Sequence, residues 1–389
     1  MTVEASAVTL PPLPANPAGT VPLAAVSARD SALQLLAWAR DNGLLSEDAY
    51  YPKNLLQHPN FGQSVDSLAI SALRKRQIRF VAIDEDGGKI SVFLKRAAPT
   101  ENEMKSLPHL CNGHQVSYHQ GNSENVSPSA VAATTNTCAL HASTSGIFYT
   151  CGSSISIGNN REAGTLGCLV KDAQGAIFGL TNNHVSGACG YAQIGLPVLA
   201  PGVLDVAPGN PHPFTIGTHF IQLPMIFGDP SGVDHTLNSD AALIKITKPE
   251  AVSSMQRGAY DTPLSVIDLV PGMAVEKVGR TTGHTAGAVL AEIVGATSVS
   301  YAAGQYNFAG SAYFEKIFVV HGFGDLFSDG GDSGSLVTHL DTNGVRHAVG
   351  IVFAGTVDGR APGGKRSLIM PIKPILERLQ VSMVSGYNL

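Results

Sequence analysis

Short runs of β-forming residues dominate the chain from residue 164 onward, and this pattern restricts the fold more than any other feature. Glycine and proline separate the runs, which read GTLGCLV, AIFGLT, FTIGTHFIQL, AALIKI, AVEKVG, GAVLAEIVG, YFEKIFVV, GSLVTHL and HAVGIVF. Many short strands with turn residues between them are typical of antiparallel barrels. The pattern therefore predicts a mainly β protein with two antiparallel barrels, followed by a helix over residues 373–380.

The front of the chain has a different pattern. SALQLLAWAR has helical spacing after the candidate cap Asp30, and IRFVAIDEDGGKISVFLKR reads as a hairpin that turns at residues 84–88. A helical PTENEMKSL and a strand-like HQVSYHQ follow. The sequence thus predicts a small α/β unit over residues 29–120, preceded by residues 1–28 without fixed structure.

The small, polar segment GNSENVSPSAVAATT predicts a linker over residues 121–142, with both barrels in residues 143–389. Because the motifs that suggest chemistry all lie after residue 180, we expect residues 1–120 to take no part in it. The linker would let this front unit move and modulate access or assembly.

Composition excludes several classes of protein. Hydrophobic residues make up 44% and charged residues 14% of the 389, which suits a chain with a real core and excludes a mostly disordered one. The net charge is −5 and no basic stripe indicates nucleic acid. No apolar run approaches the roughly 18 residues of a spanning helix, and the N-terminus lacks a signal-peptide pattern. We expect a cytoplasmic protein without membrane contact, with secretion as the alternative.

Three polar residues occur in an order that suits nucleophilic catalysis. They are His184 in TNNHV, Asp240 in NSDAALI and Ser333 in GDSGS. A serine hydroxyl is a poor nucleophile and needs a neighbouring base, which a third group holds in the right tautomer. Each residue alone is as readily a turn serine, a structural histidine or a surface aspartate, whereas all three in order favour a catalytic triad.

These motifs resemble those of chymotrypsin-like and trypsin-like serine peptidases. An apolar run precedes the histidine and another follows the aspartate, as in that family. The family more often reads Ala-Ala-His-Cys, and Asn182, Asn183 and Val185 are more similar to bacterial members and to the plant narrow-leaf protein. The resemblance implies two six-stranded barrels, with the amides of Gly331 and Ser333 as the oxyanion hole.

A further match is VEKVGRTTG, which resembles the segment that opens the second barrel in bacterial peptidases of the α-lytic type. In those proteins a basic residue at the position of Lys277 pairs with the acid that precedes the nucleophile, here Asp332. The resemblance therefore implies a structural ion pair that makes an activating cut unnecessary. The alternative is that Lys277 is a solvated strand lysine.

The run HAVGIVFAG resembles the strand that lines one wall of the family's substrate cleft. The family usually has serine in place of Phe353, and that serine donates a hydrogen bond to the catalytic carboxylate. Phenylalanine cannot donate, so Asp240 either finds another donor or lies in a different environment. The resemblance places the specificity pocket at Phe327, Ser328, Phe353, Ala354 and Gly355. These apolar walls predict an uncharged residue before the scissile bond.

Five cysteines allow two interpretations. Cys168 and Cys189 bracket His184, as a disulfide does in many secreted relatives, whereas the odd count favours buried thiols. Their spacing does not suit zinc, and the histidines show no HExxH pairing, so we expect no metal. No dinucleotide or Walker motif indicates a cofactor.

Taken together, the sequence predicts a serine endopeptidase that cleaves protein or peptide substrates through an acyl-enzyme, without a cofactor. The alternative is an inactive or self-cleaving homologue that binds peptides or scaffolds an assembly. The narrow-leaf resemblance allows a homo-oligomer.

Overall fold

The computed structural model describes residues 26–54, 56–123, 125–126, 137–229 and 232–389. Its N-terminal part contains α1 (Ala28–Asp41), α2 (Ser67–Arg76), β1 (Ile78–Asp84), β2 (Lys89–Leu94), α3 (Glu101–Ser106), β3 (Leu110–Cys111) and β4 (His114–Gln120). The predicted hairpin is present, and β4 pairs in parallel with β2. Ser27, rather than the expected Asp30, caps α1, because its side chain accepts from the Asp30 amide. Most of the segment predicted to lack structure, 1–28, lies outside the described residues.

The next elements begin with two very short strands, β5 (Asn122–Ser123) and β6 (Asn125–Val126), within the predicted linker. Residues 127–136 of that linker lie outside the described residues. The chain continues through β7 (Leu140–Ser143), β8 (Gly146–Cys151), β9 (Ser154–Ile157), β10 (Gly164–Thr165), β11 (Cys168–Lys171), β12 (Ile177–Thr181), α4 (Asn183–Ser186), β13 (Pro197–Ala200), β14 (Phe214–Gln222), β15 (Ala242–Ile246), β16 (Val252–Gln256) and β17 (Tyr260–Asp261).

The C-terminal elements are mostly strands. They are β18 (Ala274–Gly279), β19 (Gly283–Ile293), β20 (Thr297–Ala303), β21 (Phe308–Phe314), β22 (Phe318–Gly322), β23 (Leu336–Leu340), β24 (Arg346–Val357), β25 (Lys365–Pro371), α5 (Ile372–Leu379) and β26 (Ser382–Met383). The amphipathic α5 confirms the predicted final helix, and it buries Ile372, Ile375 and Leu376.

Two β structures form the body of the molecule. Strands β18, β23, β24, β25, β22 and β19 close into a six-stranded antiparallel barrel, because β18 also pairs with β19. Seven earlier strands and the C-terminal β26 form an open sheet in the order β10-β9-β13-β14-β15-β12-β11-β26, which curves as a half-barrel. The predicted mainly β architecture is therefore confirmed, although the pairing closes only one six-stranded barrel and leaves the first barrel open.

The N-terminal part is joined to the second barrel through main-chain pairing. Strand β1 pairs antiparallel with β19 at Ala82↔Ile293, so the sheet of the N-terminal part continues into the barrel. Buried Arg79 adds bonds to the carbonyls of Gly121 and Ser298, at 2.9 and 2.6 Å. The free movement expected for this unit does not agree with these contacts, since moving it would break a strand pair and a buried arginine's bonds.

Two further expectations from the sequence concern the cysteines and membrane-spanning helices. All five cysteines are buried and none forms a disulfide, so Cys168 and Cys189 are unbridged, and burial raises the pKa of Cys168 to about 12. Among the helices of the described residues, none has the length and apolar character needed to span a membrane.

Candidate active site

Strand pairing in the half-barrel brings His184 and Asp240 together. Thr181 at the end of β12 pairs with Ala242 at the start of β15, so the next residues of both segments emerge side by side. His184 Nδ1 lies 2.5 Å from Asp240 Oδ2, and the His184 amide donates to Asp240 Oδ1 at 3.0 Å. Both side chains are fully buried. A buried carboxylate on Nδ1 fixes the ring and its tautomer, which directs Nε2 away from the pair.

A tyrosine that the sequence reasoning missed completes the surroundings of Asp240. The hydroxyl of Tyr301, on β20, donates to Asp240 Oδ2 at 3.0 Å, and its side chain is 2% exposed. Burial, together with the negative charge of Asp240, raises the pKa of Tyr301 well above its usual value, so the phenol remains a donor. Tyr301 thus supplies the bond that Phe353 cannot make.

Ser333 lies in a tight turn whose conformation requires glycine on both sides. Gly331 has φ +97°, and a Cβ there would come within 2.5 Å of Arg280 Nη1 and Thr281 Oγ1. Ser333 is 9% exposed. Within the part of the chain that the structure describes, neither its hydroxyl nor the amides of Gly331 and Ser333 have a hydrogen-bond partner. Both amides remain available as donors, as an oxyanion hole requires.

Thr165 connects the serine turn to the histidine segment. Its amide donates to the Ser333 carbonyl at 2.9 Å, and its hydroxyl donates to the Gly331 carbonyl at 2.9 Å. Its own carbonyl accepts from the hydroxyl of Thr181, three residues before His184, at 2.7 Å. A short chain of hydrogen bonds therefore positions the serine turn relative to the histidine.

His184 Nε2 is buried and has no hydrogen-bond partner among the described residues. The Ser333 hydroxyl is therefore not bonded to the imidazole in this conformation. Catalytic hydrogen bonds are often loose without substrate and tighten when it binds. Among the described residues, the structure thus shows a histidine held by a buried carboxylate and a serine hydroxyl without a hydrogen-bond partner.

The predicted pair of Lys277 and Asp332 is formed behind the serine turn. Lys277 Nζ lies 3.2 Å from Asp332 Oδ2, and both side chains are fully buried. Asp332 also accepts from the amides of Thr281 and Thr282 at 2.8 and 3.2 Å. Burial lowers the pKa of Lys277, and the Asp332 charge opposes that effect. The solvated-lysine alternative is wrong, because the ammonium has no exposed surface.

A second buried ion pair joins the two halves of the molecule. Arg280 Nε and Nη2 donate to the two carboxylate oxygens of Asp205 at 2.6 and 2.7 Å, and neither side chain is appreciably exposed. The Arg280 amide donates to Thr165 Oγ1 at 3.1 Å. Arg280 therefore ties the GRTTG segment to the half-barrel. No local motif indicated Asp205, the last residue of a short 3-10 helix (Val203–Asp205) between β13 and β14.

A small cavity of about 60 Å³ lies beside Ser333. Val126 of β6 lines this cavity. Four of the predicted pocket residues also line it, namely Ser328, Phe353, Ala354 and Gly355. Phe327 does not, because its side chain is buried in the core of the second barrel with Val275 and Val289. The ring of Phe353 packs on Phe314 with centroids 5.3 Å apart.

The charged residues of this cavity are paired. Asp329 Oδ1 accepts from Lys365 Nζ at 2.7 Å, and Arg366 Nε donates to the fully buried Asp358 at 2.7 Å. Arg366 Nη2 is also 3.3 Å from Nδ1 of His119 on β4. Burial, with the Arg366 charge, lowers the pKa of His119 to about 4, so its ring is neutral at pH 7. The cavity therefore presents no unpaired carboxylate to a basic side chain.

No group of three or more His, Cys, Asp and Glu side chains in the described ranges is placed to hold a metal ion.

Comparison with known proteins agrees with the motifs. No family model matches the chain. The chain is 30% identical over 227 residues to Protein NARROW LEAF 1 of Oryza sativa subsp. japonica. The match covers 53% of this chain and 36% of that protein, so the chain spans about a third of its relative. This relative is the plant protein whose resemblance the residues around His184 indicated.

Solved structures of serine proteases are also similar. Thermobifida fusca Protease A matches with a TM-score of 0.40 and 20% identity, over 61% of this chain and 98% of that chain. Cellulomonas bogoriensis chymotrypsin matches with a TM-score of 0.39 and 18% identity, over 61% and 98% of the two chains.

Proposed function

We propose that this chain is a serine endopeptidase that cleaves peptide bonds through an acyl-enzyme intermediate. The observation that carries the proposal is the buried His184–Asp240 pair, with three donors on the carboxylate, set beside a serine turn whose amides are unpaired. Burying a carboxylate is costly unless it is fully hydrogen-bonded. Core packing alone does not require a histidine paired with a buried, hydrogen-bonded carboxylate. Such a pair suits a general base that becomes transiently protonated.

Each group has a defined role in the proposed reaction. Ser333 Oγ attacks the scissile carbonyl carbon while its proton passes to His184 Nε2, and the amides of Gly331 and Ser333 bind the resulting oxyanion. The tetrahedral intermediate then collapses, and His184 donates that proton to the leaving amine. Water attacks the acyl-enzyme by the same steps, which releases the acid and restores the serine. Asp240 stabilises the imidazolium in both halves.

Cavity charges support a preference for an uncharged residue before the scissile bond. Asp329, the one carboxylate lining the described cavity, is paired with Lys365. A lysine or arginine of the substrate would therefore have to displace this pair or remain unpaired in a confined site. A small apolar side chain would neither displace this ion pair nor bring an unpaired charge into the site.

Covalent labelling tests the proposal directly. We expect a fluorophosphonate probe to react with the wild-type protein at Ser333, as identified by peptide mass spectrometry, and to leave Ser333→Ala unlabelled. Ser335→Ala is the matched control: this buried serine lies two residues away and bonds to the Asp332 carbonyl. A folded wild-type protein that does not label would favour the alternative, an inactive homologue that acts as a scaffold.

Unbiased profiling with a peptide library tests the specificity. The expected result is cleavage after small or apolar residues. A dominant preference for lysine or arginine would contradict it and would implicate Asp329.

A further inference from the structure

The two short strands within the predicted linker run beside Ser333. β5 pairs antiparallel with the end of β24, at Ser123↔Thr356 and Asn122↔Val357, and the Thr356 hydroxyl donates to the Asn122 carbonyl at 2.8 Å. β6 then pairs in parallel with β20, at Asn125↔Ser300 and Val126↔Tyr301. The two strands β5 and β6, here called the cleft segment, therefore lie against β24 and β20 respectively.

Val126, at the end of β6, lies at the candidate active site. It lines the cavity beside Ser333 together with Phe353 and Gly355. Val126 is 7% exposed and belongs to the same hydrophobic cluster as Tyr301 and Phe353.

A buried cation fixes the start of this segment. Arg79 is 3% exposed and donates to the carbonyls of both Gly121 and Ser298. It therefore ties the residue before the cleft segment to the second residue of β20. Strand β5 is paired with β24, strand β6 is paired with β20, and Arg79 anchors the preceding residue, so both short strands are held in place.

Peptide ligands commonly bind proteins by adding a strand to an available sheet edge, with side chains entering pockets. We propose that the cleft segment is a built-in peptide ligand of this kind, which occupies the acyl side of the substrate groove with Val126 as the residue nearest Ser333. The proposal rests on the proposed peptidase function. It implies that substrates gain access when the segment is displaced, and that the groove accepts an extended peptide ending in a small, β-branched apolar residue.

The size of the cavity fits this arrangement. With Val126 in place, about 60 Å³ is left beside Ser333, well below the roughly 300–1,000 Å³ of ordinary ligand pockets. A large substrate side chain therefore has no room beside Val126 and would have to replace it.

Unseating the segment tests the proposal. Val126→Glu places a carboxylate in an apolar site, so the segment should leave the groove. We expect kcat/KM for the peptide Gly-Asn-Ser-Glu-Asn-Val with a fluorogenic coumarin amide to rise at least tenfold over wild type. Val345→Glu is the matched control, because Val345 is 48% exposed in the turn before β24, and it should leave kcat/KM unchanged.

Fluorophosphonate labelling of the same proteins separates two kinds of failure. If wild type and Val126→Glu both label at Ser333 but peptide turnover is the same, the cleft segment does not restrict access and this proposal is overturned. If neither protein labels, the peptidase proposal itself has failed. Labelling of both proteins at Ser333, with faster labelling of Val126→Glu, supports occupancy by the segment.

A disulfide-trapping experiment decides the matter if Val126→Glu does not fold. The double variant Val126→Cys/Ser333→Cys should form an intramolecular disulfide on mild oxidation, because a bridge requires Cα atoms within about 7 Å. Val345→Cys/Ser333→Cys should not. The native thiols are all buried. Absence of the first bridge in folded protein, by mass spectrometry, would place Val126 away from Ser333 and refute the assignment.

Discussion

Removing the Tyr301 hydroxyl tests how Asp240 is held. Tyr301→Phe deletes one of three donors on a fully buried carboxylate and preserves the ring that packs near Phe314. A hydrogen bond to a charged group contributes about 1.5–3 kcal/mol. We therefore expect the free energy of unfolding to fall by roughly 2 kcal/mol. If the carboxylate is also less well oriented toward the imidazolium, part of that free energy is added to the activation barrier of the reaction at Ser333. Each increase of about 1.4 kcal/mol in the barrier slows the reaction about tenfold.

Two measurements on the same samples separate structure from positioning. Chemical denaturation gives the loss of stability, and the second-order rate of fluorophosphonate labelling at Ser333 gives the loss of reactivity, which we expect to be roughly tenfold. Tyr306→Phe is the matched control on the same hairpin. The Tyr306 hydroxyl accepts one long hydrogen bond, from Asn159 Nδ2 at 3.4 Å, and makes none to Asp240. If Tyr301→Phe labelled at the wild-type rate while losing stability, the hydroxyl would be structural only and its positioning role would be refuted.

Other perturbations have equally definite outcomes. Ser333→Ala and His184→Ala should each reduce peptide turnover by roughly 10⁴–10⁶-fold with unchanged circular dichroism, and turnover near wild type would remove the triad. Lys277→Met leaves the buried Asp332 without its cation, so denaturation should show a loss of about 3–5 kcal/mol; a loss below 1 kcal/mol would mean that the amide donors suffice. Deletion of residues 1–120 uncovers the β19 edge, so we expect a lower denaturation midpoint and association on a sizing column, whereas a monomer of wild-type stability would show that β1 is dispensable. Burial lowers the pKa of His119 from about 6.5, its value in the unfolded chain, to about 4 in the folded chain. The free energy of unfolding should therefore fall by roughly 3 kcal/mol as the pH drops through that window. His119→Gln should flatten this dependence in denaturation curves between pH 7 and pH 4, and an unchanged slope would assign it to other groups.

Local sequence patterns were sufficient for most of the fold. Strands such as AALIKI and HAVGIVF are apolar runs bounded by turn residues, and they appear as β15 and β24. The openness of the first barrel was not readable, because closure depends on pairing between strands that are distant in the chain. The pairing of β1 with β19 is hidden for the same reason, since it joins residues about 210 positions apart.

The candidate site divides in the same way. His184, Asp240 and Ser333 stand in recognisable local motifs, as does Lys277 two residues before a glycine. Tyr301, Thr165 and Arg79 have no such signature, because what they do depends on the partner that the fold brings to them. One signal did point to Tyr301: a phenylalanine at position 353 left Asp240 in need of a donor. The identity of that donor required the three-dimensional structure.

Tyr301 contacts both Asp240 and the cleft segment, but through different groups, so the two contacts are independent of each other. Its side chain donates to Asp240, whereas its strand pairs with β6 through the main chain. Displacing the segment would uncover the β20 edge and the space that Val126 fills, but the Tyr301 ring would still pack near Phe314. An incoming peptide that pairs with β20 and β24 would restore the same main-chain bonds. The exchange of cleft segment for substrate can therefore proceed with the His184–Asp240 pair intact, so that an uncovered site is already organised for catalysis.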